Sequence, residues 1–232
     1  MNFMDVKTIF FDLDNTLYDH TRAERTALQI LLNQNATKFS EIHRERFLDV
    51  YHQNNAFYWK KMAQGDITAS ELKILRLQTT FAEFGFEKLD FNDLAKKYLQ
   101  IYTQQVFVFP RMMEALNYLK PKFRLGILSN GFAKIQRHKL ANMNLQNFFE
   151  ITIFSEDVGA MKPSAVIFRE AMKLTQSRAE EIVYIGDSYE SDIVGAKAVG
   201  WAAVLFNPQK TRPPGKLADA EITHLSELTR LF

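Results

Sequence analysis

The chain has 232 residues, 47% of them hydrophobic, no cysteine and a formal charge of +2, from 29 Lys and Arg against 27 Asp and Glu. This length suits one large domain or two modest ones, and no apolar run approaches the roughly 20 residues that span a bilayer. The near-neutral charge disfavours a nucleic-acid polymer as a partner, and the missing cysteine excludes disulfides and thiolate chemistry. The first residues lack the pattern of a secretory signal, so we expect a cytoplasmic protein without membrane attachment.

Five short apolar segments are typical of strands that are buried on both faces of a parallel sheet. They are residues 8–13, 123–129, 150–154, 181–186 and 202–206. Helical periodicity lies between the later ones, at residues 111–119, 132–141, 165–173 and 191–199. This alternation predicts an α/β fold, a Rossmann-like doubly wound parallel sheet with helices on both faces.

The chain between the first two predicted strands has a different pattern. It carries helical periodicity and no strand signal, with predicted helices at residues 22–32, 39–62, 69–84 and 92–105. We therefore predict a discontinuous α/β core formed by residues 1–17 and 107–232, and an inserted all-helical domain formed by residues 18–106.

Two carboxylates follow the first predicted strand, in residues 12–16 (DLDNT). Because Asp12 and Asp14 are two residues apart, they are expected on the same side of the chain at the carboxyl edge of the sheet, where ligands bind in open parallel sheets. Two carboxylates there repel each other unless one is protonated or a cation bridges them. The alternative interpretation is a turn, which Asp, Asn and Thr also favour.

A second acidic segment follows the fourth predicted strand, in residues 186–192 (GDSYESD). Acidic residues from two strand ends can share one hard cation, and Mg²⁺ prefers carboxylate oxygens together with water and phosphate. We therefore predict that Asp187 binds a metal together with the first acidic pair. Asp192 has an alternative interpretation as a charge at a helix N-terminus.

Two weaker signals are the Ser129-Asn130-Gly131 turn and the Lys162-Pro163 pair. A hydroxyl and backbone N–H groups that open a helix suit an anion such as phosphate, and a lysine supplies a point charge to phosphate oxygens. Alone, the turn is a common strand-to-helix connection and the lysine is an ordinary surface residue. In the predicted topology, however, each of the four motifs lies just past a separate strand end.

The order Asp-x-Asp, Ser, Lys, Gly-Asp resembles the haloacid dehalogenase-like (HAD) superfamily of phosphatases, over essentially the whole chain and including a helical cap inserted after the first motif. The resemblance implies that Asp12 is the nucleophile, which attacks phosphorus to give an aspartyl-phosphate, and that Asp14 is the general acid/base. It also implies that Mg²⁺ is held by the Asp12 side chain, the Asp14 backbone carbonyl and Asp187.

The resemblance assigns further roles around this centre. Ser129 and Lys162 would hold the phosphoryl oxygens, with Asn130 as another substrate contact. Asp192 would orient Lys162 or a metal-bound water, and Thr16 would support the site.

The predicted cap carries an aromatic segment, Phe57-Tyr58-Trp59, before a Gly-x-Ile turn, and it resembles the pyrimidine 5′-nucleotidase branch of this superfamily. Phe57 and Trp59 are candidate specificity residues because aromatic rings stack on bases. The three side chains point in different directions on a helix, so at least one is expected in the cap core.

The expected activity is therefore Mg²⁺-dependent hydrolysis of a small phosphorylated metabolite, a nucleoside 5′-monophosphate in the leading interpretation, by a monomer or weak homo-oligomer. Asp14 argues against dehalogenation, because halide leaves without a proton and dehalogenases of this superfamily lack an acid there. The alternatives are a sugar-phosphate phosphatase, a phosphoglucomutase-like phosphotransferase and, in another class, a non-catalytic binding protein. One departure from the family pattern is Pro110-Arg111, where many relatives have Pro-Gly.

Overall fold

Residues 3–232 are described by a computed structural model, in which the chain divides into two units. One unit combines Met1–His20 with Val106–Phe232, and the other is Thr21–Gln105. The predicted boundaries after residues 17 and 106 lie within three residues of these divisions. None of the described helices is long and apolar enough to cross a membrane.

The first unit is built on a six-stranded, fully parallel sheet with the order β3-β2-β1-β4-β5-β6. All five predicted strands are confirmed, most of them shorter by one or two residues. The sixth, of three residues, was missed because so short a segment has no periodicity. The strands are β1 (Thr8–Phe11), β2 (Arg124–Ser129), β3 (Ile151–Phe154), β4 (Ile182–Gly186), β5 (Ala202–Phe206) and β6 (Ala220–Ile222).

Strand β1 lies between β2 and β4, and this order determines which loops meet. Phe11, the last residue of β1, is in register with Ile127 of β2 and with Ile185 of β4. Parallel strands end at the same edge of a sheet, so the segments that follow β1, β2 and β4 lie next to one another. The buried strands are held by a core that includes Phe10, Phe168 and Trp201, with the Trp201 ring 5.5 Å from that of Phe10.

Ten α-helices accompany the sheet in residues 3–232, and four of them belong to the inserted segment. The helices are α1 (His20–Gln34), α2 (Arg44–Ala63), α3 (Ala69–Ala82), α4 (Phe91–Thr103), α5 (Met112–Leu119), α6 (Ala133–Asn142), α7 (Ser155–Val158), α8 (Ala165–Thr175), α9 (Gly195–Ala198) and α10 (Leu228–Leu231).

The inserted unit consists of helices joined by turns, with no strand between residues 21 and 105. Its helices begin at residues that supply side-chain caps: Thr68 and Glu71 form a capping box at α3, and Asp90 accepts a hydrogen bond from Asp93 N at α4. The helix predicted at residues 39–62 begins later, at Arg44, because His43 caps it by accepting from Arg46 N. Buried aromatic side chains fill the interior of this unit.

The predicted helix at residues 191–199 is only partly correct. A wide π-helical turn covers Tyr189–Val194, and regular α-helix follows only from Gly195. The turn is stabilised from Ser188, whose backbone N–H donates to Asp192 Oδ2 at 2.9 Å and whose Oγ accepts from Ser191 N at 3.3 Å. Local side-chain to backbone bonds of this kind compete with regular helix.

Candidate active site

Asp12 directly follows β1 and is almost completely buried, with 6% of its surface exposed. Its backbone N–H donates to Ile185 O at 2.8 Å, so the ladder with β4 continues through this residue. The chain then turns sharply, with Asn15 at a positive φ of 58° and Tyr18 N bonded to Leu13 O at 2.9 Å. The first acidic pair is therefore placed at the carboxyl edge of the sheet, as predicted.

Lys162 lies beside Asp12, although it does not directly follow a strand as predicted, because helix α7 separates it from β3. Its Nζ lies 2.7 Å from Asp12 Oδ1, 2.7 Å from Asp192 Oδ1 and 2.6 Å from the Tyr184 hydroxyl. These contacts use all three hydrogens of the ammonium group. A phosphoryl oxygen would therefore have to share or replace one of these partners.

Tyr184 is part of this arrangement, and sequence reasoning missed it. It lies within the apolar run of β4, where a tyrosine is typical of core packing. Its hydroxyl accepts from Lys162 and donates to Leu128 O at 2.6 Å, so it links the ammonium group to the backbone of β2. A buried tyrosine hydroxyl usually finds such a partner, but its direction cannot be read from the apolar pattern.

Three carboxylates converge on the same place. One oxygen each of Asp12, Asp187 and Asp192 lie within 4.8 Å of one another. Burial, aided by the Asp192 and Asp14 charges and opposed by Lys162, raises the pKa of Asp12 to about 7. Burial together with the Asp192 and Asp12 charges holds the pKa of Asp187 well above its usual range.

Lys162 pairs with two of the three carboxylates, those of Asp12 and Asp192, so negative charge exceeds positive charge in this cluster. Hard oxygen donors at close mutual distance match the coordination preference of Mg²⁺, so the residues present fit such an ion. Asp12 and Asp187 were the predicted side-chain ligands. Asp192 was expected to orient Lys162 or a metal-bound water. Its carboxylate belongs to the cluster, and both of its oxygens already accept hydrogen bonds, from Lys162 and from Ser188 N.

Gly186 makes room for this cluster. A Cβ at residue 186 would lie 2.2 Å from Asp192 Oδ2, well inside van der Waals contact. The Gly-Asp sequence therefore has a steric reason, because only glycine lets the Asp192 carboxylate fold back against the end of β4. Thr16, predicted to support the site, is fully buried, and its Oγ1 lies 3.5 Å from Asp187 Oδ1.

Ser129 and Asp14 are joined through a helix residue that was not predicted. Ser129 Oγ accepts from Gly131 N at 3.2 Å and from Gln136 Nε2 at 2.7 Å, and Gln136 Nε2 is also 2.8 Å from Asp14 Oδ2. The other carboxylate oxygen, Asp14 Oδ1, is bound by Lys139 Nζ. Burial disfavours the ionised form of Asp14, but Lys139 and His20 outweigh it and lower its pKa.

A family model for haloacid dehalogenase-like hydrolases matches residues 6–200, which include every one of these side chains. The chain belongs to this family. The resemblance predicted from the four motifs is thereby confirmed, and the protein is a HAD hydrolase.

Several known proteins align with most or nearly all of the length of this HAD hydrolase. The solved structure of the HAD-hydrolase YfnB from Bacillus subtilis, which is bound to magnesium, has a TM-score of 0.88 at 27% identity over 97% of this chain and 98% of that one. The pyrimidine 5′-nucleotidase YjjG of Escherichia coli is 28% identical over 97% of this chain and 96% of its own. A glyceraldehyde 3-phosphate phosphatase of Methanothermobacter thermautotrophicus is 28% identical over 89% of this chain and 88% of its own.

The aromatic segment of the HAD hydrolase lies on α2 in the helical unit. Phe57 is 52% exposed, with its ring 5.1 Å from that of Tyr58, and Tyr58 and Trp59 are partly buried. None of the three is fully buried, but the Tyr58 hydroxyl lies 2.6 Å from Thr79 Oγ1 of α3, so Tyr58 packs between two helices of this unit. The most deeply buried rings of α2 are Phe47 and Tyr51, and Tyr58 continues their face one turn beyond Asn55.

Proposed function

We propose that this HAD hydrolase is a Mg²⁺-dependent phosphomonoesterase that works through an aspartyl-phosphate on Asp12. The observation that carries the proposal is the different surroundings of the two carboxylates in the first loop. Asp12 lies beside Lys162 in the acidic cluster, whereas Asp14 is bound by Lys139 of α6. Two carboxylates in different environments suit two different chemical roles, a nucleophile and a proton carrier.

In the first step an Asp12 oxygen attacks phosphorus, the P–O bond to the alcohol breaks, and Asp14 gives the leaving oxygen a proton. Asp14 has to take that proton from solvent beforehand, because Lys139 favours its ionised form. In the second step Asp14 takes a proton from a water, which attacks the same phosphorus and releases phosphate and the Asp12 carboxylate. Ser129 would donate its hydroxyl hydrogen to a phosphoryl oxygen, since Oγ is the acceptor in both of the hydrogen bonds described above. Lys162 would supply a positive charge beside the transferred group.

Mg²⁺ would be held by the Asp12 and Asp187 carboxylates and the Asp14 backbone carbonyl, with Asp192 beside them. When bound, the ion would offset the repulsion between the carboxylates and the phosphate. EDTA-treated protein should therefore lose activity and recover it with added Mg²⁺. Unchanged activity after complete metal removal would contradict the metal dependence while leaving the nucleophile assignment intact.

The substrate that we propose is a nucleoside 5′-monophosphate. The supporting observation is the similarity to a pyrimidine 5′-nucleotidase, and the exposed Phe57 stays the predicted residue for stacking on a base. A sugar-phosphate substrate is the second candidate, because the glyceraldehyde 3-phosphate phosphatase shares the same 28% identity with this chain as the nucleotidase does.

A phosphate-release panel separates these candidates. It would compare pyrimidine and purine nucleoside 5′-monophosphates with triose and hexose phosphates and phosphoglycolate, each with Mg²⁺. We expect the highest kcat/KM for a pyrimidine nucleotide. Preference for a sugar phosphate would refute the nucleotidase assignment, isomerised product without free phosphate would indicate a phosphotransferase, and no release from any ester would indicate a binding protein.

The contribution of Phe57 is tested by Phe57→Ala, with Leu174→Ala as a control for loss of an equally exposed apolar side chain from a different helix. Loss of one stacked ring, worth about 1–3 kcal/mol, should raise KM for the nucleotide and leave p-nitrophenyl phosphate hydrolysis unchanged. The control should change neither. Equal KM values for wild type and Phe57→Ala would remove this residue from the specificity site.

A further inference from the structure

Helix α6 holds the Asp14 carboxylate by both of its oxygens. Gln136 Nε2 lies 2.8 Å from Oδ2, and Lys139 Nζ binds Oδ1. Gln136 is fully buried and Lys139 is 3% exposed. A lysine is almost never buried to this degree unless it is paired, so its position depends on the carboxylate that it meets.

The backbone that leads into α6 is shaped for this contact. Gln136 and Lys139 are three residues apart, which places them on one face of the helix. A Cβ at Gly131 would lie 2.1 Å from Gln136 Nε2, so a side chain there would push the amide away from Asp14. Lys139 Nζ also lies 4.7 Å above the ring of Tyr18, a fully buried residue of the first loop. The glycine, the ring and the helix face thus restrict the two side chains to one arrangement.

We infer that Gln136 and Lys139 are positioning residues that hold the proton-carrying Asp14 in one orientation relative to Ser129. This inference rests on the proposed function, because it assumes that Asp14 protonates the leaving alcohol. Gln136 Nε2 bonds both Asp14 and Ser129 Oγ, the latter at 2.7 Å, so the proton carrier and the phosphate-binding hydroxyl share one support. A general acid contributes about 10²–10⁴-fold only when its geometry is maintained.

Esters that differ in their leaving group test this role. An alkyl phosphate such as glycerol 2-phosphate needs a proton on its leaving oxygen, whereas p-nitrophenyl phosphate leaves as a stable anion. The measured quantity is kcat/KM, which reports only the steps up to transfer of the phosphoryl group and so excludes the later hydrolysis, in which Asp14 acts on water for both esters.

Lys139→Met removes the ammonium group and keeps most of the volume. We expect it to lower kcat/KM for the alkyl ester on the order of 10²-fold, as misplacement of a reacting group does, and to change the aryl ester much less. Lys139→Arg should restore much of the alkyl activity because it retains the charge and the donors. Lys134→Met, on an exposed position of the same helix, is the matched control and should change neither ester.

An equal loss on both esters, or no loss on either, would overturn the positioning role and leave the proposed phosphatase activity standing. A wild-type protein that cleaves neither ester would overturn the proposed function and this inference together. If Lys139→Met does not fold, Gln136→Met applies the same test without removing a charge, and it should produce the same selective loss on the alkyl ester.

Discussion

The side-chain amide of Asn130 is bonded to both backbone polar groups of Lys162. Its Nδ2 donates to Lys162 O at 2.9 Å, and its Oδ1 accepts from Lys162 N at 2.7 Å. The loop after β2 thereby holds the backbone of the residue whose Nζ reaches Asp12. Asn130 was predicted to bind substrate, and that assignment stays a prediction. Its two bonds to Lys162 give it a role in placing the lysine.

Replacing Asn130 should therefore affect catalysis through Lys162. Asn130→Ala removes two partly buried hydrogen bonds of about 0.5–1.5 kcal/mol each and frees the lysine backbone, so kcat should fall on the order of 10-fold and the melting temperature should drop. Steady-state kinetics and thermal unfolding measure both. Asn117→Ala, on an exposed position of α5, is the control. A raised KM with unchanged stability would show instead that Asn130 contacts substrate directly.

Asp12→Asn should separate activity from stability. The variant keeps the shape of the side chain but has no nucleophilic oxygen, so turnover should fall at least about 10³-fold. Because the pKa of Asp12 is raised to about 7 from the usual 3.8, its ionised form destabilises the metal-free fold at higher pH. At about pH 8 without metal, Asp12→Asn should melt at a higher temperature than wild type.

Asp157→Asn is the control for that comparison, since Asp157 lies at the surface and pairs with Arg137 at 2.6 Å. It should leave turnover intact and give no increase in melting temperature. Wild-type turnover in Asp12→Asn would show that another group is the nucleophile.

The parts of the site that could be predicted are those that follow strands. Asp12 comes directly after an apolar run, Ser129 ends one and Asp187 follows another, and the carboxyl edge of a parallel sheet brings such positions together. Helix α7 could not be predicted because its four residues are too short for a periodic signal. The lysine after it nevertheless reaches the expected place.

The residues that were missed have ordinary patterns. Tyr184 is one more large side chain in a buried strand, and its hydroxyl reaches Lys162 only through the register of β4 against β1. Gln136 and Lys139 are polar residues on an amphipathic helix, which a sequence pattern assigns to solvent. Their spacing of three residues after a Ser-Asn-Gly turn was the available signal. That spacing predicts a contact with Asp14 only once the structure shows that Asp14 faces this side of the helix.

Replacing Arg111 with glycine should stabilise the fold. Its φ of 60° lies in the left-handed region, which disfavours residues with a Cβ by roughly 1–2 kcal/mol. Its ion pair with Glu114, at 3.1 Å between exposed side chains, contributes little. After the greater chain entropy of unfolded glycine is allowed for, Arg111→Gly should raise the free energy of unfolding by up to about 1 kcal/mol.

Urea unfolding at neutral pH measures this gain as a higher midpoint with an unchanged slope. Arg111→Ala is the matched control, because it loses the ion pair but keeps the Cβ and hence the unfavourable φ. It should be no more stable than wild type. If alanine stabilised the protein as much as glycine, the arginine side chain and not the backbone conformation would be the source of the effect.

Glu181 should make stability depend on pH in the acid range. Its carboxylate accepts from Lys7 Nζ at 2.6 Å, from Arg178 N at 2.9 Å and from Arg178 Nη2 at 3.3 Å. These bonds, that of Lys7 foremost, lower the pKa of Glu181 to about 2 from the usual 4.5. A lowered carboxyl pKa stabilises the fold above the unfolded value, so this contribution is present above about pH 4.5 and disappears as the pH falls towards 2.

Glu181→Gln removes the titrating group, so the variant should be less stable than wild type at about pH 6, and the difference should shrink as the pH falls through that window. Urea unfolding of both proteins at several pH values gives the difference directly. Glu180→Gln serves as the control for loss of a neighbouring carboxylate, because Glu180 pairs with the exposed Arg178 side chain at 3.1 Å. A Glu181→Gln curve parallel to that of wild type would show that the acid sensitivity of this fold comes from other carboxylates.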